Sequence, residues 1–107
     1  MRDFESSEFK ELLARYEQSQ RQGESCYLDS DDFIDLSDYY LDHNKPNKAL
    51  RVVDEGLHLH PTDDLLPAVK CGVLIFLRRF DEAQELFDTL DAEENFDVYY
   101  LKAQLLF

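Results

Sequence analysis

The sequence predicts an all-α protein, built as a helix-turn-helix solenoid in which pairs of helices stack as α-α repeats. Two stretches of the 107-residue chain superpose at a spacing of 34 residues, with Ala49 over Ala83 and Leu50 over Gln84. Each stretch holds two runs of apolar residues at helical spacing, with a short turn between them. A fixed repeat of this length and content is typical of a superhelix of stacked helix pairs.

A helix is expected ahead of the repeats, within residues 1–29. Ser6 or Ser7 can cap its N terminus, and Gly23 stands where a C-terminal glycine cap belongs. Between these signals, apolar residues recur at helical spacing and therefore share one face. They are Phe9, Leu12, Leu13 and Tyr16. This segment is predicted to be an N-terminal capping helix followed by a linker.

Residues 30–63 are predicted to form the first repeat. Asp31 or Asp32 can accept hydrogen bonds from the free amides at the start of its first helix. The turn at 43–45 ends that helix, and Pro46 suits the first turn of the next one, where its missing N–H leaves no bond unmade. The two apolar faces consist of Phe33, Leu36, Tyr39 and Tyr40, and of Ala49, Leu50, Val53 and Leu57.

Residues 64–95 are predicted to form the second repeat, with helices at about 64–77 and 81–90. Residues 96–107 are then the first helix of a truncated third repeat. The apolar run from Val73 to Leu77 could also form a buried strand, but it continues a longer helical pattern. A compact helical bundle is the alternative architecture. The superposition of small residues favours the solenoid.

Small and large apolar side chains recur at fixed places in both repeats. In the first repeat these places hold Phe33, Leu36, Ser37, Tyr40, Ala49, Val53, Gly56 and Pro61. In the second they hold Cys71, Leu74, Phe80, Ala83 and Phe87. Over residues 30–107 the pattern resembles the tetratricopeptide repeat family, from which it departs at Pro67 and Lys70, where that family has a large apolar pair. The residues that the resemblance implies in repeat packing are Phe33, Leu36, Tyr40, Ala49, Val53, Cys71, Leu74, Phe80, Ala83 and Phe87.

The resemblance also implies a concave groove, lined by the first helix of each repeat, that binds a peptide segment of a partner protein. The matching positions hold Ile34, Asp38, Leu41 and Asp42, then Leu65, Ala68, Gly72, Ile75 and Phe76, then Tyr100 and Gln104, with Asp31, Asp97 and Phe107 at further positions of the same set. One end of such a groove is acidic and its middle is apolar. It suits a segment with Lys or Arg beside a large apolar side chain, and it would repel a C-terminal carboxylate.

The net charge of −13 is distributed unevenly along the chain. Residues 29–42 hold six aspartates and residues 81–97 hold eight acidic residues, with no Lys or Arg in either run. This field repels phosphates, so nucleic acid is not an expected partner. A solvated face that keeps the protein soluble is the alternative interpretation of both acidic runs.

No pattern in the sequence predicts catalysis, a cofactor or a metal site. His58 and His60 would point about 200 degrees apart on a helix and cannot share one metal; an interaction with the helix dipole is the commoner role near a helix end. Cys26 and Cys71 are too few for a disulfide framework and are expected to be free thiols. The protein is therefore not expected to be an enzyme.

The ends of the sequence indicate a cytoplasmic, N-terminal fragment of a longer protein. The start has no basic segment leading into an apolar run, and no stretch has the length and apolarity of a membrane span. The last residues, 105–107, lie within an apolar helical face, which could pair with a second copy of the chain. The alternative to a peptide-binding scaffold is a structural or self-assembly module, or the regulatory arm of an enzyme whose catalytic domain follows.

Overall fold

The computed structural model describes residues 4–24 and 26–89. These residues form five helices and no strand: α1 (Ser7–Arg21), α2 (Ser30–Asp42), α3 (Pro46–Leu59), α4 (Leu66–Phe76) and α5 (Phe80–Asp88). The predicted all-α fold is confirmed, and the run that could have been a strand is helical as far as Phe76. The predicted helix at 96–107 lies outside the described residues.

Helix α1 begins and ends at the signals that the sequence carries. The Ser6 hydroxyl oxygen accepts a hydrogen bond from the Phe9 N–H at 3.2 Å, which satisfies one of the free amides of the first turn. The buried face of this helix holds Phe9, Leu12 and Tyr16. The Phe9 ring lies 5.4 Å from the ring of Tyr39, between centroids, so this face packs against α2.

Helices α1, α2 and α4 end in the same hydrogen-bonded turn. The residue that reverses the chain has a left-handed conformation in each: Gly23 (φ 69°), Asn44 (φ 59°) and Arg78 (φ 61°). The bonds that close the turns join Glu24 N–H to Ser19 O (2.9 Å), Lys45 N–H to Tyr40 O (2.7 Å) and Arg79 N–H to Leu74 O (2.9 Å). This is the glycine-type C-cap of helices. Because Asn44 and Arg78 are 34 positions apart, the turn repeats with the period of the sequence.

The start of α2 differs from the prediction. Asp29 is the residue before the helix, and its side chain makes no capping hydrogen bond. Asp31 and Asp32 lie inside the first turn instead of ahead of it. Their carboxylates therefore cannot act as N-caps, but they stand where the positive end of the helix dipole favours negative charge.

The helices of the two repeats pack in chain order, and small residues lie between them. Helix α3 contacts α2 and α4, α4 contacts α5, and α2 also contacts α4. Ala49 of α3 and Ala83 of α5 have no exposed surface. A Cβ atom on Gly56 of α3 would lie 3.0 Å from Cβ and Cγ of Phe33 on α2. Such contacts let two helix backbones approach closely, as a solenoid of paired helices requires.

Phe80 does not occupy the buried packing position that was expected of it. Its side chain is 52% exposed, whereas Ala83 and Phe87 of the same helix are buried. Phe80 is the first residue of α5. Side chains on a helix lean toward its N terminus, so a residue at the first position covers the preceding turn and not the interface with the paired helix.

Candidate protein-binding surface

Helix α2 presents an acidic edge beside a partly buried apolar row. Asp38 and Asp42 are exposed, as is Asp31 in the first turn. Ile34 and Leu41 are half-buried and pack against the core cluster that includes Phe33 and Leu36. The carboxylates are thus open to a partner along the helix, whereas the two aliphatic residues offer only part of their surface.

An exposed large apolar side chain lies at each end of helix α4. Phe76, its last residue, is 50% exposed, and Leu65, just before its first, is 37% exposed. Gly72 and Ile75 are half-buried. Large apolar side chains that remain exposed are available for contact with a partner.

Ala68 was predicted to line the groove, but it is buried. It is only 2% exposed and belongs to the buried residues of α4, so it has almost no surface that a partner could contact. A side chain of one methyl group at this position allows close packing of α4 against its neighbours, and that packing covers it. Tyr100, Gln104, Asp97 and Phe107, the remaining groove candidates, lie outside the described residues.

The surroundings of Asp38 shift the pKa of its carboxyl group. Partial desolvation, and then repulsion from the nearby Asp35 carboxylate, raise the pKa of Asp38 above its ordinary value. The residue is nevertheless exposed to solvent. A cation placed beside Asp38 would favour its charged form and so oppose both effects. We refer to the exposed or half-buried residues predicted for the groove, Asp38 and Asp42 of α2 with Leu65, Ile75 and Phe76 at the ends of α4, as the α2–α4 face.

Cys71 has a buried thiol between two helices. Burial raises the pKa of Cys71 to about 11, so its thiol is protonated at neutral pH and a poor nucleophile. The Cys71 sulfur lies 3.8 Å from the Ala83 carbonyl oxygen, in the contact between α4 and α5. Within residues 4–24 and 26–89, no three His, Cys, Asp or Glu side chains are grouped as metal ligands would be. None of the helices described there has the length and apolarity of a bilayer span.

His60 has a role that the sequence did not indicate. Its Nε2 lies 2.7 Å from the Leu28 carbonyl oxygen, to which it can donate a hydrogen bond, and its ring packs at 5.7 Å from Tyr27. The end of α3 is thereby tied to the linker that precedes α2. The two residues are 32 positions apart, and nothing in the local pattern pairs them.

Comparison with known proteins gives one match. The family model described as tetratricopeptide repeat matches residues 40–105. No curated protein and no solved structure matches the chain. The matched residues include the whole of α3, α4 and α5.

Proposed function

The chain belongs to the tetratricopeptide repeat family, and from this premise we propose that it is a non-catalytic scaffold that captures a segment of a partner protein on the α2–α4 face. Repeats of this family generally mediate protein–protein interaction. The observation that carries the proposal is the exposure of Phe76 on α4 and of Leu65 just before it, together with the exposed carboxylates of α2. The two helices are in contact, so one segment can reach both edges.

The chemistry of the face specifies the chemistry of the segment. Asp38 and Asp42 attract Lys or Arg and repel a carboxylate. An apolar side chain that covers Phe76 and Ile75 would contribute favourable binding free energy, because it removes their apolar surface from water. The expected ligand is an extended or helical segment that carries a cation beside a large apolar residue. Phosphate backbones are not expected to bind because the face is acidic.

The raised pKa of Asp38 gives the interaction a pH dependence. Asp38 is charged above its pKa and neutral below it, so a basic segment should bind best above that pKa and more weakly as the pH falls through it. The segment binds the charged form and should in turn lower the pKa of Asp38. A chemical-shift titration of the Asp38 carboxyl carbon, with and without ligand, measures both effects.

The central experiment selects segments and then reverses the charge of the face. Peptides containing Lys or Arg next to Phe or Leu are screened for binding by fluorescence anisotropy at low salt. The double substitution Asp38→Lys with Asp42→Lys should weaken the best binder by roughly tenfold, because two attractions become repulsions. Phe76→Ser should weaken the same binder at any salt concentration, since apolar burial is not screened.

The matched control is the double substitution Glu85→Lys with Asp88→Lys on α5. It changes the net charge by the same amount at exposed positions of α5 that do not belong to the α2–α4 face. Equal losses in the two double variants would show that only the overall charge matters and would refute the α2–α4 face as the site. Full binding by the α2 double variant would refute it as well.

A further inference from the structure

A cleft between α1 and the first repeat has a charge opposite to that of the rest of the protein. It has a volume of about 180 Å³, and α1 contributes Tyr16, Glu17, Gln20 and Arg21 to its wall. The other side consists of Tyr40 from α2 with Lys48 and Arg51 from α3. The wall thus holds three cations and one carboxylate in a chain whose net charge is −13. We name this site the α1 cleft.

Within the part of the chain that the structure describes, the three cations of the α1 cleft form no ion pair. Pairs found there include those of Lys10 with Glu5, Lys70 with Asp54 and Arg79 with Glu82. Arg21, Lys48 and Arg51 take part in none of them, and all three are exposed. The Lys48 ammonium group lies 5.7 Å from the centre of the Tyr40 ring, which orients it without neutralising it.

The carboxylates at the cleft are already bound by neutral donors. The Tyr40 hydroxyl donates to Glu17 Oε2 at 3.1 Å, and Gln20 Nε2 donates to Glu55 Oε2 at 3.2 Å. The first bond joins Glu17 of α1 to α2, and the second joins Glu55 of α3 to α1. The guanidinium groups therefore keep their own donors available for a ligand.

Tyr16 contributes a buried hydroxyl to the same wall. Its side chain is 2% exposed, and its hydroxyl forms no hydrogen bond of standard geometry. Burial, and then the charge of the Glu55 carboxylate and its interaction with the hydroxyl proton, raise the pKa of Tyr16 well above its usual range, so the hydroxyl keeps its proton at any physiological pH. The acceptor that lies near this donor is therefore Glu55, which Gln20 already binds.

We propose that the α1 cleft binds an oxyanion, either a carboxylate or a phosphate, carried by a protein partner. Arg51 and Arg21 supply planar donor forks that match such groups, and Lys48 supplies a third positive charge. The cleft is distinct from the α2–α4 face, which is acidic and attracts cations.

The test is a two-dimensional amide NMR titration of the full chain with sodium phosphate and, separately, N-acetylglutamate, each against sodium chloride at equal ionic strength. Saturable shifts at Tyr16, Gln20 and Arg51 are expected with at least one of the two anions. Tighter binding of phosphate would indicate a phosphorylated partner, and tighter binding of N-acetylglutamate an acidic segment; either result supports the cleft. Shifts no larger than those with chloride for both anions would overturn the proposal.

Arg51→Gln should weaken anion binding by about tenfold, because it removes a charge-assisted hydrogen bond. The matched control is Arg15→Gln, which removes an exposed arginine of α1 that does not line the cleft. Circular dichroism of both variants shows whether they fold, and Lys48→Gln replaces Arg51→Gln if that variant does not. Equal weakening in cleft and control variants would mean that the anions respond to overall charge, and the proposal would be wrong.

Discussion

The first repeat (30–63) and the described part of the second (64–89) are joined by the same turn but packed with different side chains. Asn44 and Arg78 both adopt the left-handed conformation, and both turns close with the same pattern of backbone bonds. Ala49 and Ala83 have no exposed surface in either repeat. The backbone and the small contacts therefore follow the 34-residue period closely.

The large apolar side chains of the first repeat do not recur 34 residues later. Phe33 and Leu36 are fully buried in the first repeat, whereas Pro67 and Lys70, one period later, are half-buried. Lys70 turns its ammonium group to Asp54 of the first repeat, with Nζ 2.7 Å from Oδ1. The comparison teaches that a helix pair can stack without its large apolar anchor when a neighbouring repeat supplies contacts.

The largest expected difference between the repeats is at the anchor position. Phe33→Ala should lower the free energy of unfolding by about 3–5 kcal/mol, because it leaves a cavity between α2 and α3. Pro67→Ala, at the equivalent place, should cost less than about 1 kcal/mol, since only backbone stiffness is lost. Urea unfolding followed by circular dichroism measures both values.

Two outcomes would contradict this prediction. Equal losses for Phe33→Ala and Pro67→Ala would mean that the second repeat is anchored as firmly as the first through that position. A small loss for Phe33→Ala would mean that the contact with Gly56 relaxes to fill the space. If Phe33→Ala is too unstable to measure, Phe33→Leu gives a smaller loss in the same direction.

A smaller effect is expected at the residues that reverse the chain. An L-residue in the left-handed region carries a strain of roughly 1–2 kcal/mol, from which glycine is free. Arg78→Gly should therefore raise the free energy of unfolding by about 1 kcal/mol, after the greater flexibility of glycine in the unfolded chain is deducted. Asn44→Gly should raise the free energy of unfolding by only about a few tenths of 1 kcal/mol, since asparagine tolerates the left-handed conformation.

The neighbouring arginine is the control for this comparison. Arg79 has a φ of −91°, so glycine relieves no strain there, and Arg79→Gly also removes the ion pair with Glu82. It should lower stability or leave it unchanged. If Arg78→Gly and Arg79→Gly had equal effects, the strain assigned to Arg78 would be wrong.

The sequence predicted the features that depend on neighbours along the chain. The small residues at Ala49 and Ala83, the cap at Ser6 and the turn at Gly23 are local signals, and each predicted an element that the structure contains. The sequence placed Arg78 between the two helices of the second repeat, but it did not indicate a left-handed residue there, because arginine rarely adopts that conformation. Only its 34-residue spacing from Asn44 could have indicated it.

The features that join distant residues were not predictable in this way. The bond of His60 to Leu28 and the α1 cleft each depend on how α1 and the linker lie against the first repeat. The cleft brings Arg21 together with Lys48 and Arg51, which are about 30 positions away in the sequence. The distribution of charge along the sequence does not connect these residues, because Arg21 lies on α1 and the other two lie on α3.

The smallest expected effect concerns the ion pair that joins the two repeats. Lys70 and Asp54 are partly exposed, with side chains 30% and 49% accessible, so their coupling should be less than about 1 kcal/mol. A double-mutant cycle with Lys70→Met and Asp54→Asn measures this coupling separately from the loss of packing. The coupling should decrease between low and high salt because the pair is open to solvent. A coupling that is large and independent of salt would show that the pair is shielded from water, and that Lys70 anchors the second repeat as Phe33 anchors the first.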